Sequence, residues 1–180
     1  VDRTLARWGL GAADAFLLQS REDLGSLRGL VPGAVASVHP HPTYTQFATR
    51  STTRDRARQE LGVEGRVLLF FGLVRAYKGL SNLLRAFAIV SKRLPATLLV
   101  VGEFYDDRAP YDELIAFLGI GERVRIVDRY VPDEEVATYF TAPDLVVLPY
   151  GSATQSGIVQ TAFAFGRPVV VTAVGGLPDV

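Results

Sequence analysis

The sequence contains no cysteine and no methionine in its 180 residues. Without cysteine there are no disulfides and no thiolate-based metal or redox centres. Basic and acidic residues balance at 19 each, so no net charge draws the chain to nucleic acid or to an anionic membrane. No apolar run approaches the length of a membrane span, and no signal peptide opens the sequence. These absences are consistent with a cytoplasmic protein that has no nucleic-acid partner.

Methionine is missing even at position 1, and the sequence ends at Val180, directly after a signal for the start of a helix. Both observations predict that the chain is part of a longer protein. Its function therefore has to be interpreted with room for parts outside these 180 residues.

The chain is 48% hydrophobic and has 17 glycines, a composition typical of globular α/β proteins. From Arg66 onward, short apolar runs alternate with stretches of helical periodicity. They predict strands at 67–71, 97–101, 124–127, 145–148 and 169–172, and helices at 82–94, 111–118, 132–142 and from Ser156 and Gly157 onward. Upstream, the sequence predicts helices at 3–10 and 22–30 and strands at 15–18 and 34–38. The repeated strand–helix units predict a doubly wound, mostly parallel sheet with helices on both faces.

Candidate ligand-binding residues follow two of these strands, at the edge where such sheets bind ligands. Gly72, Arg75 and Lys78 follow the first strand of the regular part, and Gly102 and Glu103 follow the second. An arginine and a lysine in a glycine-bounded turn can face the same phosphate. The spacing alone favours two ordinary surface cations, and Gly102 could simply permit a tight turn.

The loop after the third strand contains Tyr130 and Val131. It could hold a nucleobase through backbone groups and an apolar wall, or it could merely join a strand to a helix. His39 and His41 lie two apart, but no carboxylate or cysteine accompanies them, so we predict no metal site there.

The last quarter of the chain has two signals for the start of a helix. Thr154, Gln155 and Ser156 form a small polar loop, and Ser156 can cap a helix that begins near Gly157. Gly175 and Gly176 precede a proline in a position that suits a first helical turn. Helix N-termini present unpaired N–H groups and a partial positive charge, which suit a phosphate or a diphosphate.

Five segments, in this order and spacing, resemble the nucleotide-sugar-binding domain of family 4 glycosyltransferases (glycosyltransferases group 1), which have the two-domain GT-B fold. The resemblance runs from about Val67 to Val180, with a weaker one over residues 1–42. The segments are FFGLVRAYKG at 70–79, VVGE at 100–103, RYVPDEEV at 129–136, APDLVVLP at 142–149 and FGRPVVVTAVGGLPD at 165–179.

The resemblance implies a retaining glycosyltransferase that transfers a sugar from a UDP- or GDP-sugar donor to an unknown acceptor, with no cofactor and no metal. Lys78 matches the lysine that binds the donor diphosphate, with Ser156 and Gly157 at the helix start. The arginine that the family places directly after the first glycine is Leu73 here, and Arg75 could take its role. The match also assigns Tyr130 and Val131 to the nucleobase, and it implies further donor-site positions at Gly72, Gly102, Glu103, Thr154, Gln155, Gly175 and Gly176.

The clearest departure from the family lies in two acidic positions. The family has two glutamates separated by seven residues, and these positions are Ala153 and Thr161 here. The second glutamate normally accepts hydrogen bonds from the ribose, for which Thr161 is a shorter, neutral substitute. We interpret this as a variant donor site.

The resemblance also predicts the organisation of the chain. Residues 1–42 would be the end of an acceptor-side domain, 43–65 a linker that could equally hold part of a helix near 54–61, and 66–180 a truncated donor-binding domain. Such a piece would bind the donor without turning it over, and peripheral membrane association of the full-length protein is compatible with it. The alternatives are a non-catalytic protein of the same fold, kept for interaction or regulation, and, ranked last, a relative of the UDP-sugar 2-epimerases.

Overall fold

The computed structural model describes residues 2–39, 41–49 and 52–179. The predicted domain ranges also include Val1, Pro40, Arg50, Ser51 and Val180, which lie outside the described residues. The described chain forms two compact units, one from residues before 43 together with 152–156 and 173–179, and one from 43–151 together with 157–172. The domain boundaries that we place after residues 42 and 65 stay predictions.

The first unit contains two helices and two short parallel strands. They are α1 (Arg3–Leu10), β1 (Phe16–Leu18), α2 (Arg21–Leu30) and β2 (Ala36–Val38), followed much later by a short 3₁₀ turn at Leu177–Asp179. The Ser20 hydroxyl caps α2 as predicted, since its oxygen accepts a hydrogen bond from the Asp23 N–H at 3.0 Å. The helix start predicted at Pro178 is the 3₁₀ turn in the described residues.

The second unit is built on five strands, β3 (Arg66–Phe71), β4 (Ala96–Val101), β5 (Val124–Val127), β6 (Leu145–Leu148) and β7 (Val169–Val171). All neighbouring pairs are parallel, in the order β5-β4-β3-β6-β7. The chain thus leaves β3 first toward one edge and later, from β6, toward the other. The predicted doubly wound parallel sheet is confirmed, and its switch point lies between β3 and β6, where such sheets open a crevice.

Five helices accompany this sheet: α3 (Arg54–Leu61), α4 (Leu80–Val90), α5 (Ala109–Leu118), α6 (Asp133–Thr141) and α7 (Gly157–Ala164). Short 3₁₀ turns lie at Thr45–Thr49, Ala76–Lys78 and Gly121–Arg123. One face of the sheet packs Phe70 and its neighbours against α4 and α5. On the other face the Phe71 ring lies 4.9 Å from the Phe140 ring of α6. Burial on both faces explains why the strands read as continuous apolar runs.

Helix α4 differs from its predicted bounds of 82–94. It begins at Leu80, directly after Gly79, whose φ of +71° ends the preceding turn. The buried positions Leu80, Leu83 and Leu84 continue the apolar stripe toward the N-terminus. Val90, predicted on that stripe, is 36% exposed at the other end of the helix.

Residues 43–65, for which we left open a linker or a helix, contain α3. Arg58 of α3 forms an ion pair with Asp144 at 2.9 Å, and Arg54 pairs with the same carboxylate. Asp144 also accepts a hydrogen bond at 2.7 Å from the backbone N–H of Val67, at the start of β3. The carboxylate of Asp144, which directly precedes β6, therefore connects α3 with the start of β3.

We expect Asp144→Asn to destabilise the protein near neutral pH. Burial by itself raises the pKa of Asp144, but the Val67 N–H and the two guanidinium groups outweigh it and hold the pKa below its usual value. A lowered carboxyl pKa contributes stability above the unfolded-state pKa, near 4, and loses it as the pH falls through the folded-state pKa. Urea unfolding should show a loss of about 1–2 kcal/mol at pH 7 that shrinks below about pH 4.

The matched control is Asp112→Asn, which removes an exposed ion pair with Arg108. Such pairs contribute about 0–1 kcal/mol. Equal losses in the two variants, or a loss in Asp144→Asn that persists at low pH, would contradict the role assigned to Asp144.

Candidate functional site

Two glycines end the strands on one side of the switch point. Gly72 donates its N–H to the Val101 carbonyl at 2.9 Å, and Gly102 donates to the Val127 carbonyl at 2.9 Å. Gly102 has a φ of +138°, and a Cβ on it would lie 2.3 Å from the Gly72 carbonyl oxygen. Only glycine lets the two backbones approach this closely. The structure thus supports the alternative interpretation of Gly102, that it permits a tight turn.

Beyond these glycines the loops after β3 and β4 run side by side. The Val74 N–H donates to the Glu103 carbonyl at 2.8 Å, and the Tyr105 N–H donates to the Val74 carbonyl at 3.0 Å. The Phe104 N–H donates to the Asp128 carboxylate at 3.1 Å. Three loops on the ligand edge are therefore connected by hydrogen bonds. The Glu103 side chain remains exposed.

A cavity of about 170 Å³ opens between these loops. Its lining is largely apolar and consists of Phe71, Gly72, Leu73, Gly102, Glu103, Arg129, Tyr130 and Val131. Val131 is buried, whereas Tyr130 is 70% exposed. An apolar slot with one exposed aromatic ring has the size and character to take part of a flat heterocycle.

Arg129 also lines this cavity and was not among the predicted site residues. Its guanidinium pairs with Glu135 in the first turn of α6 and donates to the Tyr139 hydroxyl at 3.3 Å and the Tyr130 carbonyl at 3.1 Å. The signal in the sequence was the acidic first turn of α6, which follows the arginine closely.

Lys78 lies at the switch point itself. Its ammonium nitrogen is 3.2 Å from the position that a Cβ on Gly72 would occupy, and the Ile158 side chain of α7 is 3.5 Å from the same position. The nitrogen also lies 5.6 Å from the centre of the Tyr150 ring. No carboxylate of the described residues lies within ion-pair distance of Lys78. Burial lowers the pKa of Lys78, and the charge of Arg75 lowers it further.

The turn that carries Lys78 is fixed against the loop after β6. The Gly151 N–H donates to the Tyr77 carbonyl at 2.6 Å. Gly79 approaches so closely that a Cβ on it would lie 2.0 Å from the Pro149 carbonyl oxygen. The loops after β3 and β6, which flank the switch point, therefore hold Lys78 in a defined position.

Arg75 lies near Lys78 but has a different environment. Its guanidinium carbon is 4.0 Å from the centre of the Tyr105 ring. Its Nε is buried and has no hydrogen-bond partner in the described part of the chain. The structure thus brings the two predicted cations into one neighbourhood, one of them stacked on an aromatic ring.

Helix α7 contributes Gly157 and Thr161. A Cβ on Gly157 would lie 2.9 Å from the Tyr44 ring, so glycine leaves room for Tyr44 at the helix start. The Thr161 hydroxyl donates to the Gly157 carbonyl at 3.0 Å, and the residue is 4% exposed. The hydroxyl proton of Thr161 is therefore used within the helix, and only its oxygen lone pairs remain for another partner. Tyr44 was not predicted, since it lies in the segment proposed as a linker.

The remaining predicted residues belong to the first unit, where they lie together. The Gly176 N–H donates to the Thr154 carbonyl at 3.0 Å, and a Cβ on Gly175 would lie 1.3 Å from the Ala153 carbonyl oxygen. The Gln155 side-chain amide donates to the Gln19 carbonyl at 2.8 Å. Ser156 is buried at 5% exposure. Gln155 thus has its donor group committed to the protein, and the ligand roles of these residues stay predictions.

No three side chains of His, Asp or Glu come together as metal ligands anywhere in residues 2–39, 41–49 and 52–179. None of the helices in the same ranges combines the length and the apolar character needed to cross a bilayer.

A doubly wound parallel sheet, with a half-buried cation at its switch point and an apolar cavity beside it, is an architecture that suits a nucleotide. Residues 65–180 match the family described as glycosyl transferases group 1. The chain belongs to this family of glycosyltransferases, as the resemblance in its sequence predicted.

Curated relatives extend the match toward the N-terminus. The chain is 37% identical over 182 residues to D-inositol 3-phosphate glycosyltransferase 1 of Catenulispora acidiphila, covering 93% of this chain and 43% of that protein. It is 34% identical over 161 residues to the D-inositol 3-phosphate glycosyltransferase of Mycobacterium tuberculosis, covering 85% of this chain and 32% of that protein. The chain therefore spans less than half of the length of either relative.

Solved structures show the same fold at lower identity. Anabaena Alr3699/HepE superposes with a TM-score of 0.84 at 22% identity, covering 99% of this chain and 51% of that one. Sucrose-phosphate synthase of Thermosynechococcus elongatus superposes with a TM-score of 0.81 at 24% identity, covering 97% and 44%.

We expect Gly102→Ala to disrupt the ligand edge, because its methyl group would collide with the backbone of Gly72. The matched control is Gly119→Ala, which also has a positive φ, +65°, but has open space around the added Cβ. The control should cost about 1 kcal/mol in urea unfolding, from left-handed strain alone. Gly102→Ala should cost at least 2 kcal/mol, as strain and collision combine. Equal losses of unfolding free energy in the two variants would show that the close approach of the two turns does not contribute to stability.

Proposed function

We propose that the chain is the donor-binding part of a retaining glycosyltransferase, and that its second unit binds the diphosphate of a UDP- or GDP-sugar at Lys78 and Arg75. The observation that carries this proposal is the position of Lys78, half-buried at the switch point without a carboxylate partner in the described residues. In this proposal residues 66–180 form the donor domain, and residues 1–42 belong to the acceptor side.

The electrostatics of the two cations support an anionic ligand. Lys78 loses hydration on burial and is repelled by Arg75, so its charged form is costly in the free protein. A diphosphate would offset both costs at once and would gain charge-assisted hydrogen bonds. In sugar transfer negative charge builds up on the departing diphosphate, and fixed cations stabilise that charge without a metal.

The cavity supports a nucleotide in particular. It adjoins Gly72, on which the Lys78 ammonium lies, so a diphosphate at Lys78 would place a base or ribose within reach of Tyr130 and Val131. The start of α7 at Gly157 adds unpaired N–H groups near Ile158, which contacts the same turn. The similar fold of Anabaena Alr3699/HepE, solved in complex with UDP and with UDP-glucose, makes UDP the first ligand to test.

A second candidate is a non-catalytic protein of the same fold. It is favoured by Ala153 and Thr161, which stand where the family has glutamates, and by the use of the Thr161 hydroxyl inside α7.

The acceptor of a catalytic protein would differ from one family member to another, and the relatives named for D-inositol 3-phosphate provide the first acceptor to assay.

We expect Lys78→Ala to weaken UDP or GDP binding roughly 10- to 100-fold, the range for loss of a charge-assisted hydrogen bond. The control is Lys92→Ala, which removes the chain's other lysine, an exposed one that follows α4. Calorimetric titration of the chain with each nucleotide measures both. Absence of binding at millimolar UDP and GDP would overturn the donor-site proposal and favour the non-catalytic candidate.

We also expect nucleotide affinity to fall with rising pH earlier than an ordinary lysine would cause. The charged form binds the diphosphate, and the pKa of Lys78 lies below the usual 10.5 in the free protein. Affinity should therefore be complete below that lowered pKa and be lost as the pH rises through it. In Lys78→Arg the charge persists, so this loss should disappear while titration of the nucleotide itself remains. Identical pH profiles for the two proteins would contradict the assignment of Lys78.

A further inference from the structure

The Arg75 side chain lies against an aromatic ring, and no carboxylate of the described residues forms an ion pair with it. Its guanidinium carbon lies 4.0 Å from the centre of the Tyr105 ring, the distance of a stacked cation–π contact. The Tyr105 side chain is 64% exposed, so the hydrophobic core gains little from it. An exposed aromatic ring over a functional cation calls for an explanation other than packing.

The backbone sets this contact in register. Tyr105 donates its N–H to the carbonyl of Val74, the residue directly before Arg75, at 3.0 Å. Val74 and Phe104 form a parallel bridge, and Val74 is 1% exposed. The Phe104 ring in turn packs against the Tyr111 ring, with 5.6 Å between the ring centres. The ring of Tyr105 and the guanidinium of Arg75 are thus carried by two backbone segments that cannot move independently.

We propose that Tyr105 is a positioning residue, which holds Arg75 beside Lys78 so that both cations address the same phosphate group. This inference rests on the proposed donor site and deepens it. Arginine presents two nitrogens to phosphate oxygens in one plane, and contact with an aromatic ring restricts the orientation of that plane. The position where the family has its arginine is Leu73, which lines the cavity instead.

The physical reason for such a device is the repulsion between the two cations. An unrestrained arginine side chain next to a half-buried ammonium would turn toward solvent, where its charge is screened. The stack on Tyr105 opposes that movement and keeps the guanidinium close enough to lower the pKa of Lys78. The ring acts on the ligand through Arg75 and needs no hydroxyl for this purpose.

A double-mutant cycle on UDP binding tests the proposal, with GDP used if UDP does not bind. We expect Tyr105→Ala to weaken binding about 3- to 10-fold and Tyr105→Phe, which keeps the ring, to bind like the unaltered chain. In an Arg75→Ala background, Tyr105→Ala should have no further effect, since its influence passes through Arg75. Equal losses with and without Arg75, or a loss in Tyr105→Phe as large as in Tyr105→Ala, would overturn the proposal.

A second measurement does not depend on nucleotide binding. The chain has only Lys78 and Lys92, so ¹³C-methylation of its lysines gives two side-chain signals whose titration NMR can follow. Tyr105→Ala should move the pKa of Lys78 up toward its ordinary value, because the Arg75 charge moves away. Tyr105→Phe, which keeps the ring, should leave the pKa of Lys78 as it is in the unaltered chain. An unaltered Lys78 titration in Tyr105→Ala would overturn the positioning role.

The two measurements separate the two proposals. If the unaltered chain binds neither UDP nor GDP, the donor-site proposal fails, while the Lys78 titration still decides whether Tyr105 positions Arg75. Phe117→Ala removes another exposed aromatic side chain, 82% exposed on α5, and serves as the control for surface truncation in both experiments.

Discussion

The ligand edge of the second unit depends on the close approach of two backbone turns at Gly72 and Gly102. Because Gly102 carries no side chain, its backbone can approach that of Gly72, and the loops after β3 and β4 continue together through Val74. One wall of the cavity and the register of Arg75 on Tyr105 both depend on these two loops leaving the sheet as a pair.

The same edge of the sheet carries two neighbouring positive charges, those of Lys78 and Arg75. Two cations lie close together, Lys78 half-buried at the switch point and Arg75 against the Tyr105 ring, and three carboxylates of the unit have other partners. Asp144 serves α3 and the strand starts, and Glu135 and Asp128 serve Arg129 and the backbone of Phe104. Keeping two cations close together lowers the stability of the free protein. A bound anion relieves this repulsion, so that its binding becomes more favourable.

The fold was predictable because strands buried on both faces must be continuously apolar, and β3, β4 and β6 are. Element ends were less predictable, as at α4, where the left-handed Gly79 decides the start. Contacts between distant parts of the chain could not be predicted from the sequence. Nothing local marks Tyr105 as the partner of Arg75, or shows that the Gln155 amide is bonded to Gln19. Residue types suggested which groups could bind a phosphate, but only geometry shows which are already engaged.

Strand β7 has a consequence for how the molecule behaves in solution. It is the outermost strand on its side of the sheet, consists of three valines, and leaves Val170 51% exposed. In the described residues no strand pairs with its outer edge, and such an edge is a template for pairing with another strand. In this chain a charged residue in place of Val170 would make pairing of another strand with β7 less favourable.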